Sequence, residues 1–275
     1  MRGENALEKR YSLKNALLCT FRALVIFFVY LFISSLISFL VGTLAKVFNQ
    51  GLDEAKLGEL LDTLSIPSMI IAYIATVFVF VIIYFSLKKN LFTSVKLGKV
   101  APIFVCDSAL LGLGFYGLFQ ATVWGFSYIA PKWVENQSAQ SASIFGAGMV
   151  VAVIYTVFIA PVCEELVFRG LILGSLENKM PKIVAVLISA VLFSVIHLPS
   201  QIALIYTFIF GLLLGFVYLR TKSLATTIAM HAVFNASNYL LYIPKKIGFY
   251  AVIILALPLI IYSVIDIIVR TRRQK

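Results

Sequence analysis

Eight runs of apolar residues, of about the length that a bilayer-spanning helix needs (roughly 18 residues or more), divide this chain. They lie near 22–47, 68–87, 104–130, 146–170, 183–198, 201–219, 224–242 and 248–269. Backbone in hydrocarbon has to satisfy its own hydrogen bonds, so each run reads as a helix. The predicted fold is all-α, a polytopic membrane protein with about eight transmembrane helices. A hydrophobic share of 61% and a mean hydropathy of +0.99 agree with bilayer as the main solvent. No low-complexity linker, soluble domain or internal repeat interrupts the runs. The longest loops, near 48–66 and 88–100, are short, so 1–275 is expected to form a single membrane domain.

The net charge of +11 resembles a nucleic-acid signal until the charges are placed on the loops. With the N-terminus in the cytoplasm, most lysines and arginines fall on that side. Only Lys46, Lys56, Lys132, Lys245 and Lys246 remain opposite, beside Asp53, Glu54, Glu59 and Asp62. That is the positive-inside pattern with both termini cytoplasmic, and no nucleic-acid partner is expected. The basic lead before the first run resembles a signal peptide. The run is too long for one, however, and Lys46-Val47 is no small-residue cleavage site, so it is kept as a span. Cys19, Cys106 and Cys163 are odd in number and lack C-x-x-C spacing, which implies packing and neither disulfides nor a thiolate metal site. Gly112, Gly114 and Gly117, and Gly211 with Gly215, are read as close helix contacts. Pro161 and Pro258 are expected to interrupt their helices.

Within this apolar chain a few ionisable residues stand out. The only two histidines, His197 and His231, fall inside apolar runs, and a third run carries Glu164-Glu165-Leu166-Val167-Phe168-Arg169. Ionisable groups in hydrocarbon are costly and point to function. Glu165 and Arg169, Phe193 and His197, and His231 and Asn235 are each i,i+4 and share a helix face. An antiparallel pair of helices meeting near residues 179–182 brings Glu164 and His197 to one height, roughly 22 Å above the hairpin. The same straight-helix count leaves His231 on the order of 10 Å too low. A water held by Glu164 and His197 would meet a desolvated general base suited to peptide-bond hydrolysis. His231 and Asn235 would offer N–H groups to the oxyanion, and Arg169 would neutralise Glu165. Phe193 reads as packing in support. Asp107 and Asp266, near predicted cytoplasmic ends, are expected to be solvated and without a role. No H-E-x-x-H zinc motif, no G-x-S-x-G elbow and no mid-span aspartate pair is present.

Three ordered motifs, E-E-x-x-x-R at 164–169, F-x-x-x-H at 193–197 and H-x-x-x-N at 231–235, resemble those of the CAAX protease and bacteriocin-processing family, which includes the type II prenyl-protein endopeptidases. The likeness covers 144–242, the expected catalytic core. It implies that Glu164 and His197 activate water, that His231 and Asn235 support the oxyanion, and that Glu165 and Arg169 shape the site. The expected activity is hydrolysis of a membrane-associated peptide or protein, in the plasma membrane of a bacterium.

Other readings follow from the same residues. The chain could be a non-catalytic membrane regulator or a bacteriocin self-immunity protein, since fold and motif do not fix the substrate. Two histidines could ligate haem, or a carboxylate–histidine relay could move protons in a transporter. No cofactor is expected. The one plausible zinc set, Glu164, His197 and His231, would consume the carboxylate needed as base, and the depth count sets His231 apart from the other two.

Overall fold

The computed structural model describes residues 12–240 and 248–273, which are helical with short connections. Arg2, Lys9, Arg10, Lys245, Lys246 and Lys275, on which part of the charge asymmetry rests, lie outside the described residues, as do positions 241–242 of the seventh predicted span. The helices are α1 (Leu13–Phe48), α2 (Glu54–Ser86), the short α3 (Leu91–Ser94), α4 (Pro102–Ile129), α5 (Pro131–Ile144), α6 (Met149–Leu176), α7 (Lys182–Val195), α8 (Gln201–Thr221), α9 (Leu224–Leu240) and α10 (Gly248–Arg273).

Six of them, α1, α2, α4, α6, α8 and α10, are long and apolar enough to cross a membrane. The count of eight is not confirmed among the described residues. The 14 residues of α7 extend about 21 Å, short of a hydrocarbon thickness of about 30 Å. Its run ends early because Pro199 disfavours helix in the residue before it, and Ser200 then caps α8 by accepting the Ala203 N–H at 3.2 Å. Helix α9 has 17 residues, and its threonines, serine, asparagines and histidine dilute its apolar character. The two short helices are the ones that bring the histidine motifs. The segment 48–66, expected as loop, is mostly helix: Asp53 accepts the Lys56 N–H at 2.8 Å and α2 starts at once. The polar helix α5 had no counterpart among the predicted elements.

Helix α4 packs along both α9 and α10, α7 along α8, and α1 along α2. In lipid no hydrophobic effect drives helices together, so close contact and polar pairing have to do so. A Cβ at Gly112 would stand 2.2 Å from the Met230 carbonyl oxygen, so α4 touches the backbone of α9 one residue before His231. At Gly211 it would meet Ala190 Cα at 3.0 Å, and at Gly215 the Val186 side chain at 2.9 Å, which closes α8 on α7. Large side chains on the outer face of α1, such as Phe28, Phe32 and Phe39, are exposed and suit contact with lipid.

One end of the bundle is tied by ions. Glu177, just past α6 and buried, accepts hydrogen bonds from Lys222 at 2.5 Å and from Lys96. Burial alone would raise its carboxyl, but the two lysines outweigh burial and hold it below the usual carboxylate range. The bridge therefore stays charged at neutral pH and weakens only on strong acidification. Asp107 corrects an expectation. It is 1% exposed, not solvated, and lies across the α4–α10 contact 3.9 Å from Nε of Arg270, which also pairs with Asp266 on its own helix. Cys19 and Cys163 are buried as expected, whereas Cys106 is exposed, and all three are free thiols.

The glycine contacts lead to a stability prediction. Gly112→Ala forces a methyl group into the α9 backbone and should cost about 1–3 kcal/mol or more. Gly125→Ala, with nothing within 4 Å, should be neutral. Thermal unfolding in detergent micelles checks this, and equal melting temperatures for the two variants would contradict the close contact.

Candidate active site

Helix α6 is irregular where it carries the acidic residues. Residues 154–159 and 166–173 are π-helical, and the single α-helical stretch between them, Ala160–Glu165, begins with Pro161, which has no N–H to give. Interruptions of this kind recur at functional sites. Adjacent residues on a helix point about 100° apart, so Glu164 and Glu165 serve different neighbours.

Glu165 turns toward α8 and α9. Its Oε1 lies 3.0 Å from Arg169 Nη1 and 3.0 Å from His231 Nδ1, with both Glu165 and Arg169 fully buried. The expected i,i+4 pair is therefore present, and it has a partner the spacing did not reveal. The Arg169 guanidinium also donates to the Gly211 carbonyl at 3.3 Å and stacks 4.3 Å from the centroid of the Phe193 ring. Phe193, fully buried, presents its ring edge-to-face to His197 and His231, and Phe210 does the same to His231. Ser189 fixes the α7–α6 contact by donating to the Phe168 carbonyl at 2.8 Å.

Glu164 turns toward α2. Its Oε1 accepts a hydrogen bond of 2.6 Å from the Tyr73 hydroxyl, which in turn accepts one of 3.2 Å from Tyr30 on α1. Its Oε2 faces His231 Nε2 at 3.8 Å. The straight-helix count, which left His231 too low, is thus overturned. Lys222 is anchored to Glu177, short of the hairpin near 179–182, and the π-helical turns of α6 spread its residues over a wider and shorter coil. Tyr73 and Tyr30 were missed as site residues. The one available hint was a phenol in mid-span, which needs a hydrogen-bond partner when buried.

His197 follows the end of α7 and is half-buried. Its Nδ1 lies 2.9 Å from the Phe193 carbonyl, so that nitrogen carries the proton and Nε2 remains free. It is within electrostatic range of Glu164, His231 and Arg169. Asn235, one turn beyond His231, donates from Nδ2 to the Thr156 carbonyl at 2.7 Å in the π-helical part of α6. One amide N–H is committed there, and the second is left for another acceptor.

Zinc on Glu164, His197 and His231 would require three donors within about 2.0–2.2 Å of one point. The depth argument against it has gone, and both imidazoles offer Nε2. Even so, among the described residues no three His, Cys, Asp or Glu side chains are gathered closely enough to hold one ion. Glu164 Oε1 is moreover engaged by Tyr73. The donor types fit zinc and their placement does not.

Comparison with known proteins bears on this cluster directly. Residues 145–237 match the family model described as type II CAAX prenyl endopeptidase Rce1-like. Among curated proteins, "Putative membrane peptidase YdiL" of Bacillus subtilis (strain 168) is 29% identical over 139 residues, which covers 50% of this chain and 53% of that protein. The chain thus spans about half the length of the curated relative it matches. No solved structure matches it. The segment that unites Glu164, Arg169, His197, His231 and Asn235 is thus similar to the type II CAAX prenyl endopeptidase family and to a putative membrane peptidase.

Proposed function

We propose that this multi-pass membrane protein is an intramembrane endopeptidase that hydrolyses a peptide bond in a membrane-associated peptide or protein. The observation that carries the proposal is the different company of the two glutamates. Glu165 is spent on Arg169 and His231, while Glu164 keeps one oxygen turned toward an imidazole 3.8 Å away. Glu164 Oε2 takes a proton from a water that His197 Nε2 helps to orient, and the water oxygen attacks the scissile carbonyl carbon. The carbonyl electrons move onto oxygen. As that oxygen re-forms its double bond the C–N bond breaks, and Glu164 passes the proton to the departing nitrogen. Tyr73, donating to Oε1, holds the carboxylate in one orientation.

The oxyanion would be met by the second N–H of Asn235 and by Nε2–H of His231. For His231 this demands the imidazolium form, because its Nδ1 is already directed at Glu165. The Glu165 carboxylate, 3.0 Å from Nδ1, orients the ring, and so Glu165 serves the reaction through His231. The loop charges favour cytoplasmic termini in a bacterial plasma membrane.

Three outcomes are expected. Glu164→Gln should fold like the parent and lose turnover of quenched fluorescent peptides. Glu165→Gln leaves Arg169 buried without its anion and should cost about 3–5 kcal/mol of stability. Equal melting temperatures together with equal activities would contradict this division of roles. Asn235→Ala should lower kcat by about 10²–10³ if an oxyanion donor is lost, and an unchanged rate would remove Asn235 from the site. We propose catalysis without a metal, to be checked by elemental analysis and strong chelation of the active enzyme. Stoichiometric zinc, with activity lost to the chelator and restored by zinc, would overturn that part.

A further inference from the structure

A cavity of about 330 Å³ opens between α1 and α2, lined by Tyr30, Leu31, Ser34, Ser35 and Ser38 of α1 and, among others, by Tyr73 of α2. The five α1 residues fall at i, i+1, i+4, i+5 and i+8, which is a single helix face. Three serines on one face of a membrane helix are an uncommon wall, because lipid offers hydroxyls nothing to bond. Several hydroxyls elsewhere in the spans bond back to their own helix, as Thr20 does to Ala16 O at 2.9 Å and Thr76 to Ala72 O at 2.8 Å, whereas Ser263 Oγ does not. Among the described residues Ser34 Oγ has no partner. At its inner end the cavity reaches Tyr73, whose hydroxyl bonds to Glu164 at 2.6 Å.

We infer that this cavity is a binding site for a short extended stretch of polypeptide, the part of the substrate beside the bond that the Glu164-activated water attacks. The inference rests on the hydrolytic reading above. An extended peptide brings unpaired N–H and C=O groups into the membrane, where each is costly. The Ser34, Ser35 and Ser38 hydroxyls offer both donors and acceptors to them. An acyl chain would leave the same hydroxyls unanswered. The volume lies at the small end of ligand sites, about 300–1,000 Å³, which suits a few residues and not a folded segment. Tyr73 is a positioning residue: it stands in the cavity wall and holds Glu164, so a peptide seated along the serines lies one phenol away from that carboxylate.

The test uses the full chain in phosphatidylcholine and phosphatidylglycerol vesicles, with a benzophenone amino acid in place of Ser38 or, as a lipid-facing control on the same helix, in place of Phe32. The probe is a biotinylated pool of hydrophobic peptides of randomised sequence, applied to the parent and to the Glu164→Gln background. Labelling at position 38 well above position 32, in both backgrounds, is expected. Equal labelling at the two positions, or none at 38, overturns the inference even if the parent cleaves peptides. Labelling at 38 with no cleavage by the parent protein supports the binding site and overturns hydrolysis alone. Ser34→Val combined with Ser38→Val should raise KM roughly five- to tenfold, the worth of one or two hydrogen bonds, with a smaller change in kcat. An unchanged KM would remove the hydroxyls from the site.

Discussion

The Glu165 carboxylate holds this molecule's interior in one arrangement. A single oxygen meets Arg169 from its own helix and His231 from α9, each at 3.0 Å. Arg169 extends the connection to the Gly211 carbonyl of α8 and to the Phe193 ring of α7. Four helices are thus referred to one buried ion pair. Charges removed from water are expensive, and breaking one partner away is more expensive still. The pair cannot slip without exposing an uncompensated charge to hydrocarbon, and this fixes His231 relative to α6 more firmly than apolar packing between membrane helices would.

Polar pairing needs backbones close enough to let side chains meet, and the small residues provide that. Gly112 brings α4 against Met230, beside His231, and Gly211 lets α8 approach Ala190 while its carbonyl receives Arg169. The π-helical turns on either side of Glu164 and Glu165 set where those carboxylates stand, and the Thr156 carbonyl within one of them is taken up by Asn235. Backbone irregularity, small residues and ion pairing converge on the same few residues of α6, α8 and α9.

Contacts within one helix were legible from sequence, because i,i+4 spacing alone places Glu165 by Arg169 and Phe193 by His197. The lipid-length runs likewise made a helical membrane protein readable, although α7 proved shorter than its apolar run suggested. Contacts between helices were not legible. The Tyr73–Glu164 bond spans 91 positions, and nothing local to either residue marks it. The depth of His231 was misjudged because straight helices of equal loop depth were assumed, while Glu177 holds Lys222 and α6 is partly π-helical. Asp107 looked solvated at a helix end, yet Arg270 from the last helix reaches it. In each case the missing information was which helix lies next to which.

We propose that water activated at Glu164 cleaves a peptide bond inside this protein. The most direct test is mass spectrometry of membrane-associated peptides from cells grown briefly in oxygen-18 water, with the parent protein or with Glu164→Gln. Peptides with new C-terminal carboxyl groups carrying the heavy oxygen are expected in the parent cells and are expected to be missing from the variant. The same labelled termini in both strains would contradict this.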